Sequence, residues 1–562
     1  MRREVSVVNK KVCSFPILFA LLALLIGTCA VVFPASAQAV PTSTGSITVG
    51  GTAARSYDAY QIFSANVVDG DNDAKIATDL AWASDAVRDA ALPVLHSAGM
   101  PNSQTTAQEA AEWLNTDSHL TSALSAQLAR SLQSSGAKSV ALNAGTAAEL
   151  PCGYWLIVAD DDAIAQGEAG TAPIMALVGG RAVTVKPKAA TPKVAKHVLE
   201  DGTAAWQKAA DATVADDLYW RLSATVPAGL TAYDTYAVQF VDTMSAGLDP
   251  SKVAASMHVY VAAGADGGFD VVSTGKDGRA GAEPAKGWTD ITAQCSTKVA
   301  SDGTFTVRTG DLIAALGGAD AFTAGARVVA VYNAPLSDGC NHGIAKGNPN
   351  EVYLRYPRSP FADQSGDAGF TSTPSDDACA YTWDLALTKR GSDGDKPLAG
   401  AVLSIADDRG RTLAADGTWD AEGKATVTTG EDGRVTVSGV DSGKLEVREL
   451  KAPKGYTAFE GTRSVTVKAE GLDVDQVAAA KPKLTITAES PLRADSADGS
   501  TGSLEASLIN TPTGTPPSIT TGGFMPSTGD MAMYAAAAAA VAGAALIVVA
   551  LLVKRGGGSH KE

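Results

Sequence analysis

The sequence predicts a mainly β protein: tandem immunoglobulin-like β-sandwich domains, a helical insertion in the first of them, and a C-terminal transmembrane helix. Three observations predict it. Short alternating apolar and polar runs, bounded by Gly, Asp and Pro, recur through most of the chain. Its 56 glycines accompany only 19% charged residues, a turn-rich composition rather than that of a coiled coil. A length of 562 residues allows three or four domains, each with a core of its own. The 45 Lys and Arg stand against 61 Asp and Glu, a formal charge of −16 that argues against a nucleic-acid-binding face. The six His are scattered, and the chain carries no P-loop, zinc-ligand spacing or G-x-S-x-G elbow. Neither a turnover enzyme nor a metal or cofactor is expected.

The two ends carry addressing signals. Arg2, Arg3, Lys10 and Lys11 precede an apolar run from Phe15 to Phe33 and the small residues Ala35-Ser36-Ala37-Gln38-Ala39. A basic start, a greasy middle and A-x-A spacing read as a secretory signal over residues 1–37, cut after Ala37 or Ala39, with an uncleaved anchor as the alternative. At the far end, Met531 to Val553 is uncharged over 23 residues. At about 1.5 Å per residue that crosses a hydrocarbon core of roughly 30 Å. Lys554 and Arg555 open a basic tail, 554–562, that would be held in the cytoplasm. Just before the span stands Met525-Pro526-Ser527-Thr528-Gly529. Without both ends the chain keeps 38 basic and 58 acidic residues, a charge of −20 that keeps neighbouring copies soluble and apart.

Within the exported body the first domain, 38–187, opens on the strand-like Gly45-Ser46-Ile47-Thr48-Val49. Its helical insertion has a capping box, Thr106-x-x-Glu109, and a core-facing stripe of Leu120, Leu124, Leu128 and Leu132 that ends before Gly136. Strands resume at Tyr154-Trp155-Leu156-Ile157-Val158. A middle domain is expected over 188–362 and a third over 363–510. The Thr/Pro/Gly segment 511–524 reads as an extended spacer.

Alternate residues of a strand share a face, so parity tells which polar residues join a core. In the third domain Lys389 ends the stripe Tyr381, Trp383, Leu385, Leu387; Glu449 follows Leu445 and Val447; Asn510 follows Leu504, Ala506 and Leu508. The middle domain repeats the trio: Lys196 between Val194 and Val198, Asp242 after Val238 and Phe240, Asn350 before Val352, Leu354 and Tyr356. Asn348 has the parity of Asn350 and is the alternative carboxamide. Buried charge is costly, so an amine, a carboxyl and a carboxamide on apolar faces point either to a hydrogen-bonded ion pair or to chemistry. Burial lowers a lysine pKa and raises a carboxyl pKa. A neutral amine can then attack the carboxamide while the carboxylic acid shuttles protons, releasing ammonia and leaving a Lys–Asn isopeptide bond.

These residues carry a resemblance. Lys389 with Leu398-Ala399-Gly400-Ala401, and Leu445-Glu446-Val447-Arg448-Glu449-Leu450-Lys451-Ala452-Pro453-Lys454-Gly455-Tyr456 ending at Asn510, look like Cna-B-type domains and their E-box. Asp242-Thr243-Met244-Ser245-Ala246-Gly247-Leu248 and Gly347-Asn348-Pro349-Asn350 resemble the middle domain of Gram-positive backbone (major) pilins. The resemblance implies bonds Lys196–Asn350, with Asp242 catalytic, and Lys389–Asn510, with Glu449 catalytic. Met525 to Gly529 resembles the LPXTG sorting signal, with Met525 in the Leu position. That implies a sortase whose cysteine attacks Thr528, releases Gly529 with the membrane tail and passes the acyl group to an amine. Val183-Thr184-Val185-Lys186-Pro187-Lys188 resembles the pilin motif, with Lys186 where the family has Tyr. By that match Lys188 is the accepting amine, Lys186 competes with it, and a basic interdomain hinge is the structural alternative.

The expected function is therefore a structural shaft subunit of a covalent surface pilus, anchored to the wall of a Gram-positive bacterium after a membrane-held precursor stage. Its partners would be sortase, identical subunits, minor or tip pilins and peptidoglycan. A monomeric wall-anchored adhesin or minor pilin that binds a host ligand is the alternative. Lys75 and Lys138, the only lysines between Gln38 and Val185, sit beside polar turns, and no cross-link is expected there. Cys13 and Cys29 leave with the signal. Of Cys152, Cys295, Cys340 and Cys379, the pair Cys295–Cys340 is preferred because both lie in one domain. Asp69, Asp71 and Asp73 have EF-hand spacing, but Ala74 and Leu80 replace the required Gly and Glu, so a solvated turn is expected.

Overall fold

The computed structural model describes residues 43–51, 55–71, 74–116, 119–160, 164, 165, 167–187, 191–228, 230–264, 271–273, 280–282 and 287–514. The signal segment, Asp73, Lys188, the sorting signal and the membrane span of the sequence reading lie outside them. Among the described residues no helix is long and apolar enough to cross a membrane.

The protein is mainly β, with three pairs of facing sheets laid out in chain order. In the first domain Thr44–Val49 is flanked by Ala147–Pro151 and, in parallel, by Val183–Val185. It faces a five-stranded sheet built on Ser56–Asp69 and Gly153–Ala159. Ile47, Val49, Tyr57, Leu150, Trp155 and Ile157 fill the space between. The other face of that larger sheet is covered by α1 (Asp85–Ser97), α2 (Ala107–Leu114) and α3 (Ser122–Ser134). The capping box is formed in full at Thr106 and Glu109. Leu124, Leu128 and Leu132 are buried, but Leu120 is 38% exposed, a correction to the four-leucine stripe. The Thr121 hydroxyl accepts from Leu124 N at 3.1 Å and so caps a helix that starts at Ser122, two residues after Leu120. Lys138 is exposed, and Lys75 donates to the carbonyls of Gly179 and Arg181.

The middle domain packs a six-stranded sheet, with Val194–Glu200, Tyr219–Thr225 and Arg327–Asn333 near its centre, on a seven-stranded one that includes Gln239–Met244 and Asn348–Pro357. Trp220, Phe240, Phe305, Tyr332 and Tyr356 are among its fully buried residues. Phe370–Ser372 and Asp376–Tyr381 pair with Asn348–Pro357, so residues 363–381 complete the middle domain. The boundary expected at 363 moves to Thr382, because Asp376–Tyr381 fills the slot between Asn348–Pro357 and Ala209–Asp211. The third domain opposes a five-stranded sheet centred on Trp383–Gly391 and Ser503–Pro512 to a seven-stranded sheet containing Gly443–Lys451.

The joints between domains are hydrogen-bonded. Gly167 N donates to Ser372 O and Gly170 N to Arg358 O, while Ala169 packs in the middle domain's core. Asp211 of the middle domain accepts from Trp383 Nε1 (2.6 Å), Ser442 N (3.0 Å) and Ser442 Oγ (2.5 Å). Asp216 takes both Nη atoms of Arg411, at 2.6 and 2.9 Å. All four described cysteines are free thiols, which corrects the Cys295–Cys340 pairing: Cys295 Sγ turns back to donate to Ile291 O at 3.3 Å. Among the described residues no group of His, Cys, Asp or Glu could hold a metal ion.

Gly439 meets the middle domain with a φ of +68°, and a Cβ there would lie 2.4 Å from Val214 Cγ2. Gly439→Ala should therefore loosen this joint by about 1–2 kcal/mol from backbone conformation alone. Limited proteolysis should cut the variant faster near Thr382 and leave the individual domains resistant.

Candidate functional site

The middle and third sandwiches each hold an amine, a carboxyl and a carboxamide at their centre. In the third domain Lys389 and Asn510 belong to adjacent parallel strands, with Gly391 level with Asn510 and Lys389 level with Leu508. Glu449 reaches them from the opposing sheet. Lys389 Nζ donates to Asn510 Oδ1 and lies 3.2 Å from Glu449 Oε1, and both charged side chains are fully buried. Asn510 Nδ2 donates to Glu449 Oε1 at 2.9 Å and Oε2 at 3.1 Å, and Phe459 N donates to Oε2 at 3.0 Å. The carboxyl therefore holds the amide nitrogen, the prospective leaving group. Burial pushes the Lys389 amine down to about 8, against the pull of Glu449.

The middle domain has the converse layout. Asp242 and Asn350 come from neighbouring strands of one sheet, where Asp242 is level with Val352 and Met244 with Asn350. Lys196 enters from the facing sheet, level with Leu222. Its Nζ donates to Asp242 Oδ2, and all three residues have no exposed surface. Burial pushes Lys196 down to about 8 and Asp242 up to about 6, each against the attraction of the other. Both shifts bring the two proton affinities closer, so moving the proton from amine to carboxyl is far less costly here than for separate groups in water. A neutral, nucleophilic lysine is thereby within thermal reach.

Sequence reasoning missed Tyr332. Its hydroxyl lies 3.0 Å from Lys196 Nζ, donates to Asp242 Oδ2 at 3.1 Å and accepts from Asn350 Nδ2 at 2.8 Å. The signal was available: Val328, Ala330 and Tyr332 share parity and all are fully buried, which places a hydroxyl at the end of another apolar stripe. Asn348, the alternative acceptor, is buried but engaged elsewhere. Its Oδ1 accepts from Asn341 N, and its Nδ2 donates to the Asn341 and Ala380 carbonyls. Lys186 is exposed one residue beyond the buried Val185.

Residues 384–481, within the third domain, match the family model described as SpaA, prealbumin-like fold domain. The chain is 30% identical over 129 residues to the trypsin-resistant surface T6 protein of Streptococcus pyogenes, a match that takes in 22% of this chain. By that alignment the chain spans about a fifth of the length of that relative (22%). Among solved structures, the T6 backbone pilin of S. pyogenes is similar at 16% identity and a TM-score of 0.46, covering 84% of this chain and 99% of that one. The major pilin SpaD of Corynebacterium diphtheriae is similar at 15% identity and a TM-score of 0.41, with the same coverages.

Asp242→Ala removes the only carboxylate that Lys196 Nζ contacts among the described residues. A buried amine stripped of its partner should cost about 3–5 kcal/mol, whereas replacing both members by apolar residues should cost less. Urea unfolding should accordingly give a lower midpoint for Asp242→Ala than for the Lys196→Met/Asp242→Val double variant.

Proposed function

We propose that the protein is the shaft subunit of a covalently assembled surface pilus, a structural protein rather than an enzyme. In this reading its domains are locked by self-catalysed Lys196–Asn350 and Lys389–Asn510 bonds. The observation that carries the proposal is the pair of fully buried amine–carboxyl–carboxamide groupings, one in each of two consecutive sandwiches. A single such site would serve as an ion pair. Two of them, with lysines lowered by burial and carboxamides beside them, suit a reaction that consumes the amine once. Asp242 and Glu449 take the proton-shuttling role, and ammonia is the leaving group.

Assembly between subunits uses outward-facing chemistry. Sortase cleaves between Thr528 and Gly529, and Lys188 of the next subunit takes the acyl group. The basic segment Lys186-Pro187-Lys188, on a body of charge −20, supplies the amine. Anchoring to peptidoglycan and addition of minor pilins would use the same acyl intermediate.

Incubation of the full chain with a pilus sortase should give a ladder of covalent multimers, abolished by Lys188→Ala and kept by Lys186→Ala. Monomer alone, joined to peptidoglycan, would contradict the shaft role. The internal reaction has a pH signature. Amine attack needs one proton shared by Lys196 and Asp242, a state most populated between about 6 and 8. Below that window the amine stays charged, and above it the acid is lost. Chain refolded from denaturant should close the middle-domain bond at a rate flat from about pH 6 to 8 and falling about tenfold per pH unit on either side. A rate that keeps climbing above pH 8 would count against the paired mechanism.

A further inference from the structure

We propose that Tyr332 is a catalytic proton relay for the Lys196–Asn350 ligation, an assignment that rests on the ligation reading above. The two sites differ in reach. In the third domain the longer Glu449 contacts both the amine and the amide nitrogen. In the middle domain Asp242 is one methylene shorter and contacts the amine but not the amide nitrogen; the Tyr332 hydroxyl, which donates to Asp242 Oδ2, stands between Lys196 Nζ (3.0 Å) and Asn350 Nδ2 (2.8 Å). Two acceptors are left without partners, Asp242 Oδ1 and Asn350 Oδ1. They come from adjacent strands on one face, diagonal neighbours within side-chain reach. They complement one another once the carboxyl carries a proton.

The steps balance. The Lys196 ammonium gives a proton to Asp242, which turns its acid toward Asn350 Oδ1. The Nζ lone pair attacks Asn350 Cγ, and the carbonyl π electrons move to Oδ1, held by the acid. As Nδ2 becomes tetrahedral it gains a lone pair, so its hydrogen bond to Tyr332 reverses. Nζ passes one proton to Oη, Oη passes its own to Nδ2, the Cγ–Nδ2 bond breaks, and ammonia leaves. The carbonyl re-forms and the tyrosine is regenerated. Asp242 retains the proton first taken from the ammonium until ammonia carries it away. No oxidant, metal or co-reactant is required.

The test refolds the full-length chain from denaturant and follows ammonia loss by intact mass. Wild type should lose two ammonias. Tyr332→Phe keeps the ring that packs edge-on against Phe305. It should lose the third-domain ammonia at the wild-type rate and the middle-domain ammonia at least tenfold more slowly. Adding Asp242→Glu should restore the rate, because the longer carboxylate reaches the amide nitrogen as Glu449 does; a packing role alone would gain nothing from that change. An unshifted rate in Tyr332→Phe overturns the relay, and so does failure of Asp242→Glu to rescue a variant whose urea midpoint shows it folded. Loss of fewer than two ammonias by the wild type would instead overturn the ligation reading itself.

Discussion

A lysine amine enclosed in an apolar core and facing a single carboxyl is the constraint on which the rest of the molecule depends. In water the two groups would form an ordinary ion pair. Enclosed, both lose hydration, and burial outweighs their attraction: the Lys196 pKa falls and the Asp242 pKa rises, so their proton affinities move toward each other. Such a pair is a poor source of stability, since an apolar pair of similar volume often serves as well. It is a good source of nucleophile. The surrounding sandwich supplies the burial, and strand parity brings the carboxamide to the same spot.

The placement of the pairs suits a load-bearing chain. Lys389 lies on the first strand of the third domain and Asn510 on the last, side by side and parallel. Tension on the two ends would shear those strands, and the proposed covalent bridge between them would take that load directly. Closing a loop of this length contributes about 5 kcal/mol by chain entropy alone. In the middle domain the amine and the carboxamide lie on the first strand and a late one, on facing sheets rather than within one. The joints carry charge too: Asp211 and Asp216 hold the third domain through a buried indole, a serine and a bidentate arginine.

Most of this was legible because strands have a period of two. Parity alone placed Lys196, Asp242, Asn350, Lys389, Glu449 and Asn510 on buried faces, and each is buried. It could not choose between Asn348 and Asn350, which share a face and differ only in what the 340s loop presents to them. Tyr332 was overlooked because a tyrosine among valines reads as packing, and its hydroxyl matters only once strands far apart in sequence are brought together. The 363 boundary failed for a related reason: Asp376–Tyr381 pairs backward into the middle sheet, and pairing partners leave no mark on composition. Leu120 kept the helical period but fell outside the cap at Thr121.

The central claim is covalent, so its most direct measurement is peptide sequencing by tandem mass spectrometry of the digested, purified body. The account predicts branched peptides in which the segment holding Lys389 is joined through its side chain to the segment ending near Asn510, and Lys196 likewise to Asn350. Recovery of each segment as a separate linear peptide, with both asparagines intact, would contradict it.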